Sequence, residues 1–181
     1  MSANAPGWLD RSAVTSKPAR RALAAIVESF DIRAKWSGLD AAEDRVRRAV
    51  LVLYARLGRA PAAAEIAAEA GVAPDAVGGV LARLEARDIL RLDAAKRTIL
   101  GAYPFAERES GHRVSLGDHT LNAMCSIDAL GVGAMCRRDV TIASACRGCG
   151  AAIDVATGDD GTALARVSPP GALVWAALHY A

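Results

Sequence analysis

The strongest constraint on the fold is a run of helical and then alternating hydrophobic patterns over residues 44–103. Three segments place apolar residues at helical spacing, with breaks at Gly58 and at residues 71–73. The segment ILRLDAAKRTILGAY then alternates around a polar turn, which is typical of a two-stranded hairpin. This order predicts a winged helix-turn-helix domain. The apolar positions expected in its core are Val46, Val50, Leu53, Tyr54, Leu57, Ile66, Ala67, Ala70, Val77, Val80, Leu81 and Leu84.

A further helix is predicted ahead of this domain, over the segment KPARRALAAIVESF at residues 17–30. Pro18 suits the first turn of a helix. The helical stripe consists of Leu23, Ile26, Val27 and Phe30. We therefore expect residues 1–43 to form an N-terminal tail and helix.

The pattern changes from about residue 104, where short apolar segments alternate with Gly, Asp and Pro. Four segments are candidate strands: HRVSL, DVTIASA, AAIDVAT and TALARVS. One segment between them, DHTLNAMCSIDALG, is the best helix candidate, with Asp118 or Thr120 as its N-cap and Gly131 as its end. The fold class predicted from both halves is α+β.

Composition excludes several classes of protein. The formal net charge of +2 is close to balanced and gives no general sign of nucleic-acid binding. No run of about 18 apolar residues could span a membrane, and the first residues lack the apolar core of a signal peptide. We therefore expect a cytoplasmic location, where the four cysteines are mostly reduced thiols available for chemistry or metal binding.

The predicted recognition helix, PDAVGGVLARLEARD, is a poor reader of DNA. It offers Arg83 and Arg87, but these are balanced by Asp75, Glu85 and Asp88. It also lacks the Asn, Gln and Lys side chains that commonly contact base edges. We expect no sequence-specific DNA binding, and the alternative role is a packing module that covers the second domain.

The most informative chemical pair is Cys125 and Asp128, in the otherwise apolar segment AMCSIDALG. In a helix, positions i and i+3 share a face, so the carboxylate could accept the thiol proton and later donate it. A thiolate nucleophile with a nearby proton carrier is the minimum for thiol-based bond cleavage. The competing interpretation is an ordinary buried helix cysteine, although a carboxylate is costly to bury without a partner.

Cys146 and Cys149, in the segment CRGC, have the spacing of half a zinc site. Cys125 and Cys136 do not form a second pair of this kind, and His112, His119 and His179 are scattered along the chain. A thioredoxin-like redox pair would need a junction between a strand and a helix. Here the segment lies between two predicted strands, which disfavours that alternative.

The segments GAYPF, HRVSL and LNAMCSIDALGVGAMCRRDVTIASAC together resemble the organomercurial (alkylmercury) lyases. The resemblance covers about residues 44–170 and is most specific over residues 121–146. It implies an N-terminal helical, winged-helix-like domain ahead of a small lyase core built on a mixed β-sheet. The nucleophilic cysteine of the family falls on Cys125 and its aspartate on Asp128, each also a ligand of the mercury in substrate and product.

The resemblance implies protonolytic cleavage of a carbon–mercury bond, which gives a hydrocarbon and Hg(II). A thiolate suits a soft metal such as mercury. No cofactor is expected, but a small-molecule thiol or a mercuric reductase is expected to remove the metal. The rival functions are a non-enzymatic soft-metal sensor or winged-helix transcription regulator, and a lyase fold with only a structural role.

One departure from the family concerns its second catalytic cysteine, which lies in a strand near the C-terminus. This sequence has no cysteine after Cys149, and its last segment, GALVWAALHYA, reads as an unfinished apolar element. The lyase-like domain over residues 104–181 is therefore expected to be short or incomplete. A small thiol replaces the missing sulfur, or the CRGC turn presents Cys146 or Cys149 to the metal. Of these two, Cys146 matches a non-catalytic cysteine of some family members.

Overall fold

The computed structural model describes residues 14–29 and 35–174. The described residues divide into two compact units, 14–29 with 35–37 and 38–174. In the first unit, helix α1 spans Lys17–Ser29, as predicted from its stripe, and none of its residues is buried. Phe30, His179 and the end of the apolar segment 171–181 lie outside the described residues. No helix in the described part of the chain is long and apolar enough to span a membrane.

The second unit begins with three helices, and the first two end at the predicted breaks, Gly58 and Gly71. Asp40 caps the first of them by accepting hydrogen bonds from the backbone N–H groups of Ala42 and Glu43, and Gly58 ends it in a left-handed conformation. The positions predicted for the core are buried, except Leu57, which packs against it. The helices are α2 (Ala41–Leu57), α3 (Ala63–Ala70) and α4 (Pro74–Ala86).

One antiparallel sheet of eight strands follows within residues 38–174, in the order β1-β2-β3-β5-β4-β6-β7-β8. It runs through residue 104 without a break, and it confirms the α+β class. The four strands predicted after residue 104 and the hairpin β1–β2 are all present. The strands are β1 (Leu90–Leu92), β2 (Ile99–Ala102), β3 (Phe105–Ala106), β4 (His112–Leu116), β5 (His119–Ala123), β6 (Thr141–Ala145), β7 (Ala152–Gly158) and β8 (Ala163–Ser168).

The expectation of a mixed sheet is wrong for these strands, because all of the neighbouring pairs are antiparallel. Helix α5 (Ser126–Cys136) connects β5 to β6, which run in the same direction. However, β4 lies between them and is antiparallel to both. The crossover therefore produces no parallel pair. The boundaries proposed at residues 43/44 and 103/104 stay predictions.

The helix predicted over residues 118–131 is wrong at both ends. Residues 119–123 form β5, since they pair with β4 on one side and β3 on the other. Burial alternates there, with Leu121 and Ala123 facing the core. The helix also continues past Gly131, because the buried face of α5 includes Val132 and Gly133. Gly133 lies against the backbone of Gly161, where a Cβ on either residue would collide.

The GAYPF segment connects the helices to the strand that precedes Cys125. The ring of Phe105 stacks on Tyr54 with centroids 5.1 Å apart, and both side chains are fully buried. Phe105 also pairs with Ala123 in the sheet. The backbone N–H of Met124 donates to the carbonyl of Pro104 over 2.9 Å. This segment therefore determines where the chain leaves β5 and enters the site.

Phe105→Ala is expected to reduce the free energy of unfolding by about 3–5 kcal/mol, as large-to-small changes of buried aromatic residues do. The variant loses its stacking on Tyr54 and leaves a cavity beside β3. Urea unfolding followed by circular dichroism measures the change. Leu100→Ala is the control, because Leu100 is 45% exposed on the adjacent strand. Equal effects of the two substitutions would contradict the anchoring role of Phe105.

Candidate active site

Cys125 and Asp128 meet at the N-terminus of α5, within hydrogen-bond distance of each other. Cys125 is the N-cap, with φ −149° and ψ 177°, and it lies outside the helix. Its thiol donates to Asp128 Oδ2 over 3.0 Å, and its Sγ accepts the backbone N–H of Asp128 over 3.4 Å. The spacing of three residues therefore brings the side chains together through helix capping rather than through a shared helix face.

Burial differs between the two side chains in a way that suits their chemistry. Cys125 is exposed, while Asp128 is half-buried and is followed by the fully buried Ala129. The carbonyl of Cys125 accepts the backbone N–H of Ala129 over 2.9 Å, which starts the helix. An incoming molecule can therefore reach the sulfur, and the carboxylate lies behind it in a drier environment.

The pKa values of both groups are raised. Partial desolvation of the sulfur, and then the hydrogen bond to the Asp128 carboxylate, raise the pKa of Cys125 to about 11, and the backbone N–H groups of Asp128 and Ile127 oppose this effect. Burial also raises the pKa of Asp128, although the Cys125 thiol and the charge of His112 oppose this effect. The resting pair is therefore held together by a thiol that donates to Asp128 Oδ2. The sequence had suggested a thiolate nucleophile, whereas here the thiolate must form at the moment of reaction.

His112 is a site residue that the sequence analysis considered only as a scattered zinc ligand. It is the first residue of β4 and lies on the same face of that strand as the buried Val114 and Leu116. Its Nδ1 lies 2.9 Å from Ser144 Oγ on β6, and its charge lowers the pKa of Asp128. The alternation of HRVSL could have placed His112 on the buried face of its strand. The sequence did not predict strand β5, which runs from β4 back to Cys125.

The remaining zinc candidates have separate structural positions. Nε2 of His119 lies 2.9 Å from the carbonyl oxygen of Arg56 near the C-terminal end of α2. Cys136 ends α5, so eleven helical residues, about 16 Å, separate it from the Cys125 cap. Within residues 14–29 and 35–174, no three His, Cys, Asp or Glu side chains are grouped so that they could hold a metal ion.

Cys146 and Cys149 lie in the turn between β6 and β7. This turn emerges at the same end of the sheet as Cys125, because β6, β4 and β5 are successive neighbours. Two interstrand spacings correspond to about 10 Å. The turn is therefore near Cys125, but it does not join Cys125 and Asp128 in a three-residue metal group.

Comparison with known proteins supports the resemblance found in the sequence. Residues 105–181 match the model of the alkylmercury lyase family. A crystal structure of the mercury-bound form of MerB2 superposes with a TM-score of 0.63 at 22% identity, which covers 81% of this chain and 68% of that one. This similarity supports the fold. A search of curated proteins found no match.

Proposed function

Because residues 105–181 match the model of the alkylmercury lyase family, we propose that this chain cleaves carbon–mercury bonds and releases a hydrocarbon and Hg(II). The observation that carries the proposal is the Cys125 thiol, which lies 3.0 Å from the Asp128 carboxylate. The substrate class is an organomercurial small molecule, R–Hg–X. Mercury enters as part of the substrate, and the chain needs no resident metal for this reaction.

In the first step, Cys125 captures the organomercurial. The sulfur forms a bond to mercury, X leaves as an anion, and the thiol proton passes to Asp128. The short hydrogen bond supports this transfer because donor and acceptor are already in contact. The product of the step is a Cys125–Hg–R adduct beside a protonated Asp128. Burial raises the pKa of Asp128 and so favours the protonated carboxyl that the next step requires.

In the second step, the proton on Asp128 passes to the carbon atom, and the carbon–mercury bond breaks. A thiolate from solution binds mercury as the hydrocarbon RH leaves, so Cys125–Hg–SR′ and an ionised Asp128 remain. A second small thiol then returns a proton to Cys125 and removes mercury as Hg(SR′)₂. Mercury stays in the same oxidation state throughout, so the reaction consumes no oxidant or reductant. A mercuric reductase is the expected acceptor of the product in a reducing cytoplasm.

The source of the second thiolate decides how activity depends on added thiol. We expect hydrocarbon release to be weak without small thiol and to rise steeply with its concentration. The Cys146→Ala/Cys149→Ala double variant should show the same dependence, because neither turn cysteine is grouped with Cys125 and Asp128 as a third mercury ligand. Gas chromatography of the hydrocarbon across a thiol titration measures both curves.

A shallow dependence in the native protein that becomes steep in the double variant would assign the second sulfur to the turn. Absence of release at every thiol concentration, from protein shown to be folded by circular dichroism, would leave a lyase fold without the reaction. The titration therefore tests both the proposed activity and the origin of the second sulfur.

We propose that the winged-helix-like domain of residues 44–103 has a packing role and does not read DNA. The two arginines of its predicted recognition helix bind within the protein. Arg83 Nε donates to Glu43 Oε1 over 3.0 Å, and Glu43 is only 4% exposed. Arg87 donates to the carbonyl of Gly38 over 3.0 Å. These contacts hold α4 against the start of α2, which supports packing and does not favour a transcription regulator.

A further inference from the structure

The β6–β7 turn holds two thiols in a closed loop of backbone hydrogen bonds. The backbone N–H of Cys146 donates to the carbonyl of Ala151 over 2.8 Å, and the N–H of Gly150 donates to the carbonyl of Cys146 over 2.8 Å. Gly150 has φ +73°, a left-handed conformation that glycine adopts without strain. The turn is therefore shaped by its backbone hydrogen bonds, and both of its cysteines are free thiols.

The sulfur of Cys146 is hydrogen-bonded within the turn. The N–H groups of Cys149 and Gly148 and the Cys149 thiol hydrogen-bond to Cys146 and lower its pKa. Cys149 is exposed and Cys146 is partly buried. The turn therefore holds two free thiols close enough to bind the same ligand.

We propose that Cys146 and Cys149 form a separate two-thiol site that binds Hg(II). Thiolates select soft cations, and Hg(II) forms stable complexes with two thiolates. Zinc needs about four protein ligands in a structural site. The described parts of the chain provide no third His, Cys, Asp or Glu side chain beside this pair. The turn therefore suits a two-coordinate soft cation better than zinc.

The position of the turn gives this site a role in the proposed reaction. It lies at the same end of the sheet as Cys125, at a distance of about two interstrand spacings. Mercury released as Hg(SR′)₂ exchanges with the turn: both protein thiols bind Hg(II), and two R′SH molecules leave with the two protons. The binding step stands without the proposed lyase function, which supplies only the source of the Hg(II).

The test isolates the turn in a Cys125→Ser/Cys136→Ser background, which leaves only Cys146 and Cys149. Mercuric chloride is added with a large excess of a monothiol, and mercury retained after gel filtration is measured by mass spectrometry. We expect about one Hg(II) per chain. Loss of either turn cysteine should lower the monothiol concentration that removes Hg(II) from the protein by about 100-fold or more. The reason is that two ligands linked in one chain bind a metal far more tightly than two separate ligands.

Two results would overturn the proposal. The first is mercury retention that is unchanged when Cys146→Ser and Cys149→Ser are added together to this background. The second is retention of half an equivalent of zinc per chain with a doubled molecular mass, which would assign the turn to a four-cysteine zinc site between two copies. Hydrocarbon release by the native protein is measured separately, so failure of lyase activity is distinguishable from failure of the turn to bind mercury.

Discussion

The Cys125→Ser variant is expected to release hydrocarbon at less than about a thousandth of the native rate, the scale on which loss of a nucleophile slows an enzyme. A hydroxyl is a far poorer ligand for mercury than a thiolate. Serine is also a preferred N-cap residue, so α5 should keep its start. Gas chromatography of the released hydrocarbon measures the loss, and thermal unfolding followed by circular dichroism checks the fold.

Cys136→Ser is the matched control, because Cys136 lies at the opposite end of the same helix. It should retain native turnover, whatever small change it makes to stability. Turnover by the folded Cys125→Ser variant within about tenfold of the native rate would remove Cys125 from the mechanism. Equal losses in both cysteine variants would indicate a general effect on α5 instead of a role for this sulfur.

Asp128→Asn is expected to change two measurements in opposite directions. Turnover should fall by about 10²–10⁴-fold, the usual contribution of a positioned proton carrier. Alkylation of Cys125 by iodoacetamide at pH 8 should become faster, because the carboxylate that helps raise the pKa of Cys125 to about 11 is removed. Each unit by which that pKa falls increases the thiolate fraction about tenfold.

Peptide mass spectrometry separates Cys125 from the other cysteines and measures its alkylation rate across pH. Asp118→Asn makes the same change of charge at the β4–β5 turn, where Asp118 is exposed, and should leave both measurements unchanged. Slower alkylation together with slower turnover in Asp128→Asn would mean that Asp128 activates the thiol and does not hold its proton. The opposite signs of the two effects therefore distinguish proton transfer from a structural role.

The proposed mechanism also predicts the acid side of the activity profile. Asp128 must be ionised to accept the thiol proton, so the rate should rise as the pH passes through its raised pKa. His112→Gln removes a charge that lowers this pKa, so the rise should move to higher pH. His112 acts through Asp128 as a positioning residue. A profile that does not move in this variant would show that His112 has no such influence.

Local patterns predicted most of the helical part of the fold. Apolar residues at helical spacing placed Val50, Leu53 and Ile66 in the core, and Gly58 and Pro74 marked helix ends. These signals lie within a few residues of the structure that they determine, since a helix satisfies its backbone hydrogen bonds locally. The alternating segments after residue 104 predicted four strands for a similar reason.

The sequence by itself also indicated that Cys125 and Asp128 are close, because they stand at positions i and i+3 at the start of a helix. Only the tertiary structure decided that Cys125 caps the helix, since residues 119–123 form a strand when β4 and β3 supply their partners. The approach of His112 to Asp128 depends on the same pairing, as does the contact of Phe105 with Tyr54. Strand partners are distant along the chain, and hydrogen bonds between strands leave no local pattern that identifies the partner.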